Sequence, residues 1–301
     1  MQQRNAIALL ITVMFVMIIS VAIGYGFKQL NNATIIVKKE QNLYTKSMIL
    51  EDVLNILNKS KELGTLLEDN SPSDLYSFLS TTAYLPLDID NQKIILSIKS
   101  ARQKININSL NEKNAPLFRA YFNKMMVSDT YVDLLSEFTG KNQAQNEYNN
   151  YYSSALFDKH PELFREYIAS ASHLKIINGF YMDEYHDENL KNIAFDKLFS
   201  YSKDKNTTID LNYAKPEVWE LILDTSKEKA LKLYQESGLY ESIKDLQLSD
   251  VEKKNLARFK TSFFEPYLAV DIEIIGQKES SSIHFEYDIK SKRGYDFVFK
   301  I

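Results

Sequence analysis

An apolar run from Ala6 to Ile23, broken only by Thr12 and Ser20, constrains this chain more than any other feature. As a helix rising about 1.5 Å per residue it extends roughly 27 Å, close to the hydrocarbon thickness of a bilayer. Arg4 precedes the run and Lys28, Lys38 and Lys39 follow it, so flanking charge alone leaves the orientation open. A cleaved signal peptide shares the short basic flank and the apolar core. Gly24 and Gly26 are the small residues available for such a cut, but Tyr25 and Phe27 sit poorly around it. A retained transmembrane helix over residues 7–26 is the expectation.

From Phe27 to Leu63 no Gly or Pro interrupts, and Leu43, Leu50, Leu54 and Leu57 recur at helical spacing. The anchor is expected to continue as an amphipathic stem over residues 27–70. It should stop at Gly64 or within Asp69-Asn70-Ser71-Pro72-Ser73, where turn residues coincide with a proline. The chain has 301 residues, 45% of them hydrophobic and 25% charged, enough for a folded head beyond the stem. With a formal net charge of -4 it carries no global positive field to attract nucleic acid, and no specific nucleic-acid partner is expected. The absence of cysteine excludes disulfides and thiolate chemistry without fixing the compartment.

The head reads as α+β. Ile89 to Ile98 alternates as a strand, with Ile94, Leu96 and Ile98 on one face and Lys93, Ser97 and Lys99 on the other, and Ile105 to Leu110 reads as its short neighbour. Between residues 111 and 203 the pattern turns helical, in Pro116 to Met126, Thr130 to Phe138, Pro161 to Ala171 and Asp187 to Tyr201. Further helices follow from Pro216, carrying Val218, Leu221 and Ile222, and from Ser226 to Gly238. Strands return at Leu268 to Ile275, Ile283 to Ile289 and Tyr295 to Ile301. This pattern gives a sheet head over residues 71–110 and 204–301, interrupted by an all-α domain over residues 111–203.

One internal echo stands out. Ile105-Asn106-Ile107-Asn108, with Pro116 beyond, is repeated as Ile209-Asp210-Leu211-Asn212, with Pro216 beyond. Asn106, Asn108 and Asn212 can satisfy backbone groups in turns, and Asn108, Ser109 or Asn212 can cap the helix that follows. A structural role is favoured over catalysis.

Chemistry-bearing constellations are sparse. The histidines, His160, His173, His186 and His284, show no paired ligand spacing. Asp183, Glu184, Asp187 and Glu188 surround Tyr185 and His186, a pattern that fits a solvated helix start better than a calcium loop. No nucleophile elbow, phosphate loop or dinucleotide fingerprint occurs, so nothing supports an enzyme. The 19 tyrosines and 17 phenylalanines are not interleaved with arginines, and core or interface packing accounts for them. Asp204-Lys205-Asn206-Thr207-Thr208 fits an acidic-x-Asn-x-Thr glycan acceptor in a loop, with Asn206 as the site.

Ala101-Arg102-Gln103-Lys104-Ile105-Asn106-Ile107-Asn108 and Ile209-Asp210-Leu211-Asn212-Tyr213-Ala214-Lys215-Pro216 resemble two motifs of K-type minor pseudopilins of type II secretion systems. The first motif of that family ends a strand and the second opens a helix. Arg4-Asn5-Ala6-Ile7-Ala8-Leu9-Leu10-Ile11 is similar to its N-terminus, His173 to Gly179 to its short helix ending in glycine, and Phe259 to Ile274 to the lead into its last strands. The resemblance runs through the whole chain in the family's order.

That likeness implies a prepilin leader over residues 1–6, cut between Ala6 and Ile7, with methylation of the new terminus. Ile11 then falls at the fifth mature position, where most pilins carry glutamate and the K-type subunit an apolar residue. It further implies an N-in single pass of the bacterial inner membrane, a periplasmic head too bulky to recur along a filament, and a place at the pseudopilus tip. Its expected partners are the other minor pseudopilins, the major pseudopilin, the inner-membrane assembly platform and the prepilin peptidase. Calcium is the one cofactor implied, with Glu137 and Glu147 as candidate ligands. A pilin-like subunit of a competence or type IV pilus system, a membrane-tethered receptor or chaperone, and a helix-hairpin-helix DNA binder are the rival readings.

Overall fold

The computed structural model describes residues 43–89, 92–139, 156–164, 166–275 and 280–300. The expected leader, membrane span and Ile11 lie outside them, and among the described residues no helix is long and apolar enough to cross a membrane. The chain divides into two compact units between Lys59 and Ser60. Residues 43–59 of the first unit are helical, as the leucine spacing predicts.

The second unit opens on a fresh helix rather than on a continuing stem. The Ser60 hydroxyl accepts from the Leu63 amide and starts α1 (Lys61–Asp69). Gly64 does not stop this helix. It ends at Asn70, left-handed at φ 46°, and Ser71 caps α2 (Pro72–Thr82), whose first-turn proline has no amide to leave unpaired. Then come β1 (Leu85–Ile89) and β2 (Gln92–Ser100). After Ser100 the chain makes β3 (Ile105–Asn106), a 3-10 turn (Ile107–Ser109), α3 (Ala115–Lys124), α4 (Thr130–Phe138) and α5 (Ala171–Tyr185). A second 3-10 turn (Glu188–Asn192) leads to α6 (Phe195–Leu198), β4 (Phe199–Ser200) and β5 (Ile209–Asp210). Helices α7 (Pro216–Leu223), α8 (Lys227–Gln235) and α9 (Asp250–Leu256) precede β6 (Thr261–Ser262), and β7 (Tyr267–Ile275), β8 (Ser280–Asp288) and β9 (Arg293–Lys300) finish the described chain.

Five strands form one antiparallel sheet in the order β1-β2-β7-β8-β9. Its register sets Ile94, Leu96 and Ile98 opposite Ile274, Ile272 and Val270, and of these Ile272 and Val270 in turn oppose Ile283 and Phe285 on β8. All of these are buried, while Lys93, Lys99 and Glu273 point the other way and are exposed, so period-2 patterning produces one apolar face. Helix α2 packs on β2, with Leu75 and Leu79 buried. The expected single strand from Ile89 to Ile98 is corrected: Ile89 closes β1 and pairs with Gln92 of β2 across a hairpin. Ile105 to Leu110 is not its neighbour either. Ile105 and Asn106 pair in parallel with Phe199 and Ser200, far along the chain.

What interrupts the sheet runs from the end of β2 at Ser100 to the start of β7 at Tyr267, beyond the 111–203 expected. Its core is continuous, from Ile105 through Phe122, Tyr131, Tyr181 and Phe199 to Trp219 and Leu256. Residues 204–256 therefore pack with the helical block; α3 packs on α7, and α7 on α8 and α9. Phe122, Tyr131 and Tyr181 meet edge to face at 5.0 and 5.1 Å, and the Tyr131 hydroxyl donates to Asn178 Oδ1 at 2.6 Å, which keeps its one polar atom paired inside the core. The helix expected from Pro161 to Ala171 is corrected: 161–164 and 166–170 are not helical, and Ser170 caps the helix that begins at Ala171. Asp187 to Tyr201 is not one helix, because the Asp187 side chain captures the Asn189 amide locally and the segment splits into a 3-10 turn, α6 and β4.

One glycine is held by its surroundings. Gly238 has φ +95°, and a Cβ there would lie 2.3–2.7 Å from atoms of the Tyr76 ring. Gly238→Ala should therefore cost on the order of 1–3 kcal/mol, read as a lower urea midpoint, whereas Gly179→Ala, with open space around it, should be neutral or stabilising.

Candidate functional site

The two echoed motifs turn out to be two copies of one hydrogen-bonded device. In each, a two-residue strand pairs in parallel with a segment remote in sequence: β3 with β4, and β5 with β6. Two residues such as these bring too few ladder bonds to hold a long loop closed, and side chains complete the joint. Asn108 N donates to Asn106 Oδ1 at 3.2 Å, and Asn212 N donates to Asp210 Oδ1 at 3.0 Å, so the same tight turn follows both strands.

The turn aims an asparagine inward, and Asn108 and Asn212 are both buried. Asn108 Nδ2 donates to the carbonyls of Ile168 and Ser202 at 3.0 Å each, and its Oδ1 accepts from the Ile168 amide at 2.7 Å. Asn212 Nδ2 donates to the carbonyls of Tyr240 and Phe263 at 2.8 Å each, and its Oδ1 accepts from the amides of Gly238 and Tyr240 at 3.0 and 2.9 Å. Each carboxamide thus behaves as an extra peptide group, pairing with both N–H and C=O of one distant residue, Ile168 or Tyr240. Each also reaches the segment just past the partner strand. Of the two roles expected of them, Asn108 and Asn212 do not cap the helix that follows but do satisfy backbone groups, and the groups belong to distant loops that they clamp. Asn106 adds two donated bonds, to Ser202 O and Asp204 O, and the Ser109 hydroxyl donates back to Asn106 O. Pro216 opens α7, where Lys215 occupies the cap position with no side-chain bond.

The copies differ where Asp210 replaces the position of Asn106. Asp210 is fully buried, and its Oδ2 accepts from the Glu265 amide at 2.9 Å. Burial raises its pKa to about 7, against the pull of the Glu265 and Asn212 amides. The native state therefore holds a proton here that the unfolded chain releases near its ordinary value, so this contribution to stability is present in acid and lost as pH rises through about 7.

Arg102 ties this second clamp to the sheet. Its carbonyl accepts from the Asp210 amide, while its guanidinium bonds Glu286 of β8 at 2.7 Å and the Tyr295 hydroxyl of β9 at 3.0 Å, and lies 4.2 Å from the Tyr267 ring centre on β7. Burial opposes the guanidinium charge, yet the Glu286 carboxylate prevails and raises the pKa of Arg102. The pair is nearly buried, with 11% and 16% of the side chains exposed, so removing one partner would strand the other's charge.

The remaining expected residues are not gathered into a site. Ala6, Ile7, Ile11 and Glu147 lie outside the described residues. Glu137 sits near the end of α4, and among the described residues no group of three His, Asp or Glu could hold a metal ion. Asn206 is exposed in the loop after Asp204, whose carboxylate accepts its amide. His160 contacts Glu162 and His284 pairs with Asp271 across two strands; His173 is buried, accepts the Ala169 amide on Nδ1, and has its pKa lowered by burial. His186 is the left-handed residue that ends α5, seven residues beyond Gly179 where the helix was expected to stop.

The class these features define is a large α+β head, a sheet interrupted by a helical block and fastened by asparagine clamps, on a chain that opens with an apolar segment. No protein-family model matches the sequence, and no curated protein matches it. The fold is similar to that of a chain in the crystal structure of the GspK-GspI-GspJ complex from the enterotoxigenic Escherichia coli type 2 secretion system, with a TM-score of 0.57 and 12% sequence identity, over 88% of this chain and 99% of that one. At that identity the likeness is one of fold.

Two measurements check the clamps. Asn108→Ala and Asn212→Ala each leave buried backbone groups orphaned at about 1–3 kcal/mol apiece, so each should lower unfolding free energy by about 3 kcal/mol or more in urea melts, far above exposed Asn206→Ala. Thermal melts from pH 4 to pH 8 should show a contribution from Asp210 that falls with rising pH, and Asp210→Asn should remove that slope.

Proposed function

We propose that this protein is a non-enzymatic minor pseudopilin of the K type, the tip subunit of a type II secretion-like pseudopilus. The observation that carries the reading is the similarity in fold to a GspK-GspI-GspJ complex chain, which extends over nearly all of that chain. The Ala6 to Ile23 run supports it, because a pilin-like subunit enters its filament through an apolar helix. Ile11 fits a first subunit: an apolar side chain there needs no charged partner on a preceding subunit, whereas a glutamate would be buried unpaired at a filament end.

In this reading the prepilin peptidase cuts between Ala6 and Ile7, the helix stays in the inner membrane with the N-terminus cytoplasmic, and the head lies in the periplasm. Its partners are the other minor pseudopilins, above all counterparts of the I and J subunits, with the major pseudopilin and the assembly platform behind them. Asn206, exposed in its loop, is a glycan acceptor wherever the host has the pathway.

Mass spectrometry of the membrane-extracted chain, from hosts with and without prepilin peptidase, tests the reading. Peptidase-dependent loss of residues 1–6 and co-purification of two smaller minor subunits are expected. An intact N-terminus in both hosts, with no pilin-like partner, contradicts it and favours a tethered receptor.

A further inference from the structure

Asn108 holds Ile168 by both of its backbone groups, and the residue after it is held by a histidine. The Ala169 amide donates to His173 Nδ1 at 3.2 Å, and the Ser170 hydroxyl accepts from the His173 amide at 3.1 Å to start α5. Ile168, Ala169 and Ser170 are thus fastened in turn to Asn108 and to the first turn of α5. Of the side chains that make these bonds, only the imidazole changes charge in mild acid.

The bond to Ala169 fixes where the imidazole carries its proton. Nδ1 accepts, so it is unprotonated, and the neutral ring bears its single N–H at Nε2. Nε2 is itself buried with no hydrogen-bond partner, and the whole residue is 5% exposed. The ring meets Phe138 edge to face, with centres 6.0 Å apart, and Phe138 packs in turn on Phe157. The charged side chains on the elements around it are Glu137 of α4, Asp158 and Lys159 beside Phe157, Glu166 in the loop, Lys175 of α5, and Lys205, whose ammonium is held by the Thr139 carbonyl. None of them sets the titration of the ring: burial alone lowers its pKa. A proton added at Nδ1 would face the Ala169 N–H donor to donor, and no carboxylate among the described residues would offset the new charge.

The second clamp responds in the opposite sense. Asp210 keeps its proton in the native state below about 7, so mild acid leaves that joint as it is.

We propose that His173 is an acid-operated release for the first clamp: protonation of Nδ1 replaces the acceptor of the Ala169 amide by a second donor, residues 166–169 move off α5 and Asn108, and the second clamp and the sheet stay closed. The closed form excludes a proton that the open form takes up near the ordinary histidine value of 6.5, so closure weakens as pH falls below that value. The opening is local, and it gives water access to the His173 ring and to the Phe138 ring packed on it. A histidine that stays neutral until the whole head unfolds is the ordinary alternative.

Native-state amide exchange of the full chain in non-ionic detergent, at pH 7.5 and pH 5.0 and expressed as protection relative to the intrinsic rate at each pH, separates the two. Protection of Ile168 and Ala169 should fall about tenfold or more at the lower pH, beyond any change at Gly238 and Tyr240 of the second clamp. In His173→Asn, whose Oδ1 can accept the Ala169 amide in place of Nδ1 and does not titrate, that difference should vanish. Nitrogen-15 shifts of the imidazole follow the same step without a variant, and should show a neutral ring protonated at Nε2 at pH 7.5 that gains its second proton before the sheet amides lose protection. Equal protection of Ile168 and Ala169 at both pH values, a fall shared equally by Gly238 and Tyr240, a ring that stays neutral until global unfolding, or an undiminished pH effect in His173→Asn would overturn the proposal.

Discussion

Everything beyond the sheet depends on two buried carboxamides. The chain leaves the sheet at Ser100 and returns at Tyr267, and so long an excursion needs non-local closure. Parallel strands of two residues mark the closing points, but Asn108 and Asn212 make them hold, each joining a turn to two further segments through directional bonds inside the core. Hydrophobic burial supplies most of the favourable energy of this head, as in any domain, yet it is non-directional. The carboxamides select which segments meet, since a displaced loop would leave buried donors and acceptors unpaired.

This arrangement explains why one motif occurs twice. An Asx residue that bends the chain and an asparagine that reaches two residues further suffice to fasten a loop beside a strand, whatever the loop contains. In the first copy the clamp gathers Ile168 and Ser202 around the helical block; in the second it gathers Tyr240 and Phe263 beside the sheet, and Arg102 carries the connection on to β8 and β9. The substitution of Asp210 for the first copy's Asn106 introduces a buried acid that is retained at some cost in stability above neutral pH. Its Oδ2 accepts the Glu265 amide, a bond that an amide nitrogen in the same place would not make.

Much of the sheet was legible because period-2 alternation reports burial directly: Ile94, Leu96 and Ile98 face inward as read, and β7 to β9 begin within two residues of the expected starts apart from β8, which starts earlier in a serine run. Pro216 and Ser226 likewise announce α7 and α8 locally. The hairpin before β2 was hidden because Ile89 continues the alternation straight through the turn. The capping box of Ser249 and Glu252 at α9 was a sequence signal left unread. For the clamps, the echo of Ile-Asx-aliphatic-Asn was visible, but its partners were not. Ile168, Ser202, Tyr240 and Phe263 take part through their backbones, and a backbone group leaves no mark on residue identity.

Native-state amide hydrogen exchange, followed residue by residue, tests most directly whether the clamps hold the head together. The amides of Asn108, Ile168, Asn212, Gly238 and Tyr240 should exchange only through global unfolding, with protection equal to that of β2 and β7 and lost across the insertion in Asn108→Ala or Asn212→Ala. Exchange of these five amides at the rates of exposed loops, with β2 and β7 still protected, would show that hydrophobic packing alone fixes the fold and would contradict the account.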